Sequence, residues 1–240
     1  MSSVDVAAWL ASTGTAHPAL DRSSVPERIA TLLREMIMDG AVRPGDRLSD
    51  DVLSQQLSTS RNTVREAFRL LGHERLLVHE LNRGVFVRRL TPDDVVDIYQ
   101  FRRLIECAAV RHADSAAPAL LEAMDGHLRA GRQAAAARQW RDVGTRNVRF
   151  HRDLARLLDN RRVDQTMQRL LAELRLAFHV MDDDPEALHA PYLPRNQQLL
   201  DLMRAGNLVT AERALDAYLG DAEQQLIRAY ERAASARRGG

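Results

Sequence analysis

The feature that most constrains this chain is a change of periodicity at Thr91. Before it, short helical patterns give way to β-rich runs; after it, β signals vanish for about 150 residues. Thr91-Pro92-Asp93-Asp94 reads as a helix start, with a capping Thr, a Pro at the first helical position and an acid at the third. Helical patterns then follow at roughly 92–114, 118–138, 139–158, 162–182, 190–205 and 207–236, with breaks at Pro118, Asp159-Asn160, Asp182 to Pro185 and Gly206. The spacing predicts a mostly α chain: a winged helix-turn-helix over 23–90, with three helices plus a β-hairpin, then an all-α bundle over 91–240. Residues 1–22 read as a flexible arm.

Within the first unit, Ile29, Leu32, Leu33, Met36 and Ile37 form one helical face that Gly40 ends, and "RPGDRL" (43–48) reads as a turn by its Pro-Gly pair. Ser49 or Asp50 can cap a short second helix, and Ser60 caps a third. That third helix, "RNTVREAFRLL", places Val64, Ala67, Phe68 and Leu71 on one stripe and Arg61, Asn62, Arg65 and Arg69 opposite. "LLVHE" and "GVFVRR" read as hairpin strands around "LNRG", where Asn82 and Gly84 suit a turn.

Such a helix pair lets the second helix enter a DNA major groove with its first residues nearest the base edges. Arg61, Asn62 and Arg65 are the residue types that base readout needs, since Arg pairs with guanine and Asn with adenine. N–H groups after Ser60 suit a phosphate, and Arg83 at the hairpin tip suits a minor groove or a phosphate. The net charge of the chain is only +1, so attraction to nucleic acid must be local. Between Arg61 and Arg89 there are seven Arg against three Glu. All 34 basic residues are Arg, which coding bias explains as well as function does.

The bundle pattern carries polar residues on its inner stripes. Arg102 lies among Val95, Ile98, Ile105 and Ala109; Asn147 and His151 sit one turn apart beside Val143, Phe150 and Leu154; Asn196 and Tyr218 fall on the inner faces of the last two helices. Buried polar groups are costly without partners, so four helices contributing them point to a shared polar cavity, a usual ligand position in a bundle. Each residue alone reads equally as a satisfied core residue. His179 and His189 read as surface or structural, and Cys107 as a buried, inert thiol in a reducing cytoplasm. No run of about 18 apolar residues exists to span a membrane, and the N-terminus makes a poor signal peptide.

The stretch "GAVRPGDRLSDDVLSQQLSTSRNTVREAFRLLGHERLLVHELNRGVFV" resembles the DNA-binding domain of GntR-family transcription regulators. PG-x-RLS, SR-x-TVREA and NRG-x-FV occur in order. The resemblance implies that Arg47 contacts a phosphate, that Arg61, Asn62, Thr63 and Arg65 form the recognition surface, and that Gly84 is at the wing tip. The chain departs from the family at Asp51, where an Arg that touches DNA is usual, at Ser58-Thr59 in place of Gly-Val, and at Arg75 in place of Gly. "RRLIE", "N-x-x-FH" and "AGNLVTAERALDAYL" resemble the FCD-type effector domain of the FadR-like subfamily. Members of that subfamily often hold a divalent metal with an Asp or Asn, a His four residues later and two further His. Here Asn147 and His151 match the first pair, while Asn196 and Tyr218 stand where the other two His belong. An amide and a neutral phenol are poor replacements for imidazole, so no metal is expected to be required, with at most Asn147 and His151 as ligands.

These features describe a cytoplasmic, ligand-responsive DNA-binding regulator, a repressor in the first instance, and not an enzyme. It is expected to bind a pseudo-palindromic double-stranded operator as a homodimer. A small carboxylate effector would meet Arg102 and Tyr218, together with Asn147, His151 and Asn196. Two other readings stay open: a constitutive DNA-binding protein whose bundle only dimerises, and a helical metal-dependent enzyme with His151 as a ligand. Against the enzyme, the chain shows no HExxH and no paired Glu-x-x-His motif.

Overall fold

The computed structural model describes residues 4–13, 24–113 and 118–238. The chain divides into two compact units, Met1–Arg89 and Leu90–Gly240.

The first unit contains α1 (Val6–Thr13), α2 (Val25–Met38), β1 (Arg47–Leu48), α3 (Asp50–Gln56), α4 (Arg61–His73), β2 (Leu77–Glu80) and β3 (Gly84–Val87). Helix α2 starts at a capping box, Ser24 with Glu27, with Pro26 in its first turn. It buries Ile29, Leu33, Met36 and Ile37, and α4 buries Val64, Ala67, Phe68 and Leu71. Each such large side chain removed from water is worth ~1.5–3 kcal/mol, which is what holds two short helices together. Arg34 adds a bidentate clasp to Glu74 past the end of α4, with Nε and Nη2 each 2.7 Å from a carboxylate oxygen.

The sheet has three antiparallel strands in the order β1-β3-β2. Leu77 pairs with Val87 and Glu80 with Gly84, while β1 sets Arg47 opposite Phe86 and Leu48 opposite Val85. The hairpin matches the sequence pattern, but β1 lies inside the stretch read as a plain turn. Two residues are too few to show an alternating pattern, and only the burial of Leu48 marks the strand. The two departures at glycine positions are visible in the backbone: Ser58 has φ 49° and Arg75 φ 59°, both left-handed conformations that cost an L-residue about 1 kcal/mol or more.

The N-terminal stretch differs from the arm expected of it. Val6–Thr13 is helical, its start held by Asp5, whose Oδ1 accepts the Ala8 N–H. Val6 and Trp9 are buried, and the Val6 N–H donates to Gln56 Oε1. Val6 and Trp9, at i and i+3, give this short helix one buried side. Residues 1–3 and 14–22, the remainder of that arm, lie outside the described residues, as does residue 23.

The second unit is helical throughout its described residues: α5 (Pro92–Arg111), α6 (Pro118–Ala136), α7 (Trp140–Ala155), α8 (Arg161–Ala177), α9 (Pro185–His189), α10 (Tyr192–Arg204) and α11 (Leu208–Arg238). Thr91 and Asp94 form the capping box read from the sequence. Short 3-10 turns, Arg156–Leu158 and Phe178–Met181, continue α7 and α8. The brief α9 fills the gap between the helical patterns at 162–182 and 190–205, beginning at Pro185 where the break ends; Asp184 caps it by accepting the Ala187 N–H at 3.0 Å, with Pro185 at its first position. Val95, Ile98, Phe150, Leu154, Leu171, Leu215 and Leu219 are among the core. Cys107 is buried and its thiol is pushed up to about 11 by that burial, which leaves it unreactive at neutral pH. No helix among the described residues is long and apolar enough to cross a membrane.

Candidate DNA-reading face and polar bundle centre

The first unit presents one polar face. Ser60 caps α4 by accepting the Thr63 N–H at 3.1 Å, and the two hydroxyls bond each other at 2.8 Å. The Ser60 and Thr63 side chains thus serve the helix start. Arg61, Asn62, Arg65 and Arg69 are exposed along α4. Between α4 and the hairpin runs a groove of about 930 Å³, lined among others by Arg47, Asp50, Asn62, Arg65, His79 and Gly84.

At the hairpin tip Asn82 has φ 59° and Gly84 φ 112°. A Cβ on Gly84 would stand 3.2 Å from Arg47 Nε, so glycine here both makes the turn and lets Arg47 lie against the wing. Arg83 points its guanidinium over Phe86, 5.5 Å from the ring centre.

The arginines of this face do not stand alone. Arg65 Nε donates to Asp50 Oδ2 at 2.5 Å, Arg61 Nε stands beside Asp51 Oδ1, Arg69 Nη2 donates to both Glu66 carboxylate oxygens and Arg83 pairs with Glu80. The Arg61 contact is one of charge, without hydrogen-bond geometry. Exposed pairs of this kind are worth only ~0–1 kcal/mol and exchange easily for a stronger anion or acceptor.

The second unit brings the five expected polar residues together, with one more. Arg102 Nε donates to Glu106 Oε1 at 2.7 Å, and Glu106 Oε2 lies 2.7 Å from His151 Nδ1. His151 Nε2 lies 3.0 Å from the Tyr218 hydroxyl, which is 3.1 Å from Asn147 Oδ1; the Asn196 amide donates to that same oxygen at 2.6 Å. Glu106 was not singled out by sequence pattern, although it lies four residues from Arg102 on the same face. It also changes the role of Arg102. That side chain was expected to be open to an anion, and the structure gives its charge to Glu106.

Burial sets the charge states. Burial pushes Glu106 up, but the charge of Arg102 and the hydrogen bonds from His151 and Arg102 outweigh it and hold the carboxyl below its ordinary range. Burial alone, with Arg102 nearby, lowers His151 despite Glu106, so its imidazole is neutral at pH 7. An ionised Glu106 only accepts, so Nδ1 of His151 carries the hydrogen and Nε2 has a lone pair. Tyr218, its phenol raised by burial, then has one proton for two acceptors, His151 Nε2 and Asn147 Oδ1. Asn196 Oδ1 is buried without a hydrogen-bond partner. The centre is therefore connected but short of a donor at Tyr218 and again at Asn196, unlike an inert core network.

Tyr99 and Tyr192 close around this chain. Arg102 lies over the Tyr99 ring at 4.9 Å, and burial pushes the Tyr99 phenol up to about 12. Tyr192 meets Tyr218 edge to face at 4.8 Å between ring centres, and Arg195 lies 5.2 Å from the Tyr218 ring. His189, read as surface or structural, is buried: a Cβ on Gly144 would come within 2.7 Å of its Nε2, and burial with Arg175 nearby takes it down to about 3. His179 pairs with Asp182 at 3.1 Å.

Beyond His151 and Glu106, the donors gathered here are ones that an ion of the zinc type binds weakly. Around His151 stand one carboxylate, Glu106, already shared with Arg102, two amides and a neutral phenol, and both ring nitrogens are engaged. Among the described residues no three His, Cys, Asp or Glu side chains are gathered for a metal.

A recognition helix, a basic wing and a separate helical domain with a polar centre define a DNA-binding regulator of the winged helix-turn-helix class. Comparison with known families matches residues 26–87 to the bacterial regulatory proteins of the gntR family and residues 97–221 to the FCD domain. The chain belongs to the GntR family of transcription regulators with an FCD domain; this is not a family of enzymes. A solved GntR transcriptional regulator from Rhodococcus sp. RHA1 is 44% identical, with TM-score 0.79, covering 87% of this chain and 100% of that one. The transcriptional repressor RspR of Escherichia coli K12 is 26% identical over 206 residues, 84% of this chain and 89% of its own. The gluconate operon transcriptional repressor of Bacillus subtilis is 35% identical over 92 residues, and the match spans only 37% of that repressor.

Proposed function

We propose that this chain is a cytoplasmic repressor that binds a pseudo-palindromic operator as a homodimer and is switched by a small effector at the bundle centre. The observation that carries the switch is the incomplete network around Tyr218, with the Asn196 Oδ1 left buried and unpartnered. A polar ligand supplies the missing donors. A carboxylate effector enters by exchange, taking the place of Glu106 at Arg102 while its hydroxyl or amide groups meet Asn147, Asn196, His151 and Tyr218. No metal is required for this. Binding shifts the population of bundle conformations, and with it the spacing of two reading heads.

The reading face is Arg61, Asn62 and Arg65 at base edges, with Arg47 and the Asn82-Arg83-Gly84 wing on the backbone, and the α4 start at Ser60 and Thr63 near a phosphate. The test is titration of a panel of small carboxylic acids and their amides into protein bound to a selected duplex. One acid is expected to change operator affinity, and Tyr218→Phe or Asn196→Ala, which leave the buried Arg102–Glu106 pair whole, to weaken or abolish that response with DNA binding intact. The interconnected side chains also favour a second reading, a filled centre that serves dimerisation alone. A panel that never alters affinity, with wild-type repression in both variants, selects it.

A further inference from the structure

The two acids that open α3 face the two arginines that open α4. Asp50 is occupied on both oxygens: Oδ1 accepts the Asp51 N–H at 3.1 Å and Oδ2 accepts Arg65 Nε at 2.5 Å. Asp51 sets its Oδ1 beside Arg61 Nε. Acids in a first helical turn are favoured by the helix dipole, and that alone would explain their presence. It would not explain why each reaches 10 or more positions along the chain to a different reading-face arginine. The hydrogen bond of Arg65 runs through Nε and not through the Nη pair. The Nη fork is the part of a guanidinium that meets O6 and N7 of guanine, so a side chain braced at Nε can still read a base. At the same time two carboxylates beside the reading arginines cancel much of the charge that would attract any phosphate.

We infer that Asp50 and Asp51 are positioning residues that set sequence specificity: they brace Arg65 and Arg61 toward base edges and suppress sequence-independent binding. The inference rests on the DNA-reading role of α4. A helix face with bare arginines binds any duplex by counterion release; a face with braced, neutralised arginines binds well only where base acceptors reward the fork.

The experiment uses the full chain. Wild-type protein selects a duplex from a random 30-base-pair library, and affinities for that duplex and for a scrambled one are measured between about 50 and 300 mM salt, a range over which phosphate contacts dominate the change. In D50A/D51A the scrambled duplex is expected to bind about three- to tenfold tighter, with a salt slope steeper by roughly one to two, and the selected-to-scrambled ratio to fall roughly tenfold. D50N keeps an acceptor for Arg65 Nε and loses the charge, so it should tighten scrambled binding while holding the selected duplex at wild-type affinity; D51N, which removes the charge contact of Arg61, should tighten scrambled binding as well. Their melting temperatures show that the helix pair is intact. A wild-type ratio in D50A/D51A overturns the inference, as does an equal loss on both duplexes in the Asn variants. A wild-type chain that binds no duplex overturns the reading role of α4 itself, and is distinguishable because no ratio then exists.

Discussion

Arg65 and Arg102 make the same contact in opposite surroundings. Each donates through Nε to one carboxylate oxygen, at 2.5 Å to Asp50 and at 2.7 Å to Glu106. The Arg65 side chain is 65% exposed and the Arg102 side chain 3%. In water the pair is weak and interchangeable; in the bundle neither charge can leave without stranding the other. The first arrangement suits a surface that must trade its partners for DNA. The second suits a centre whose state is altered only by something that replaces a partner in kind.

The comparison breaks most visibly at Glu106. Glu106→Ala leaves Arg102 buried and unpaired and takes the acceptor from His151, a change expected to cost ~3–5 kcal/mol. Urea unfolding followed by circular dichroism should show the midpoint falling steeply, or the second unit failing to fold. A wild-type midpoint would mean that the pair contributes no more than its exposed counterpart.

Next in size is pH. His151 and His189 are both held below their ordinary value near 6.5, His189 down to about 3, so the unfolded chain binds protons that the folded chain refuses. Their stabilisation is complete above about pH 6.5 and is lost as pH falls toward the folded values, at up to ~1.4 kcal/mol per pH unit for each histidine. Glu106, also lowered, adds to the loss below about 4.5. Unfolding free energy measured at pH 7 and pH 5 should drop on acidification, and His189→Gln should remove one histidine's share of the slope. A flat profile between those values contradicts the neutral, buried imidazoles.

Much of this was legible because the signals are local. Ser60, Thr91 and Gly84 announce caps and a turn within three or four residues, and the stripes of α2 and α4 show their buried sides directly. The five polar positions of the bundle were legible as inward-facing, and the structure joins them into one chain of contacts. Their bonding was not, since Glu106 reads as an ordinary acid until its 0% side-chain exposure is known. The i, i+4 spacing from Arg102 was the available signal. The brace from Asp50 to Arg65 spans 15 positions and depends on how α3 crosses α4, which no periodicity reports. Likewise β1 and α1 are set by what they meet, Leu48 paired with Val85 in the sheet and Trp9 buried in the first unit, rather than by their own short patterns.

On the exposed side the expected effects move from stability to binding. Arg61→Ala and Arg65→Ala should each lose ~1–3 kcal/mol of binding to a selected duplex and relax sequence choice at one position, with melting temperature nearly unchanged. Arg69→Ala, at a side chain a turn further from the helix start and paired with Glu66 through Nη2, should lose less and leave sequence choice intact. Fluorescence anisotropy on single-base variants of the duplex checks both. Unchanged choice in Arg65→Ala would remove it from the reading face.

The smallest effect sharpens the contrast best. Glu66→Gln deletes the charge that pairs with Arg69, as Glu106→Ala deletes the charge that pairs with Arg102. Here the side chains are 71% and 42% exposed, so water takes over what the carboxylate gave up. The expected stability change is within ~0.5 kcal/mol, near the limit of denaturant unfolding, because screening and side-chain entropy offset most of an exposed i,i+3 pair. The freed Arg69 should instead tighten binding to any duplex and steepen its salt dependence by about one. A loss of stability comparable to Glu106→Ala would show that the head's ion pairs hold its fold, and would leave them unable to serve as partners surrendered to DNA.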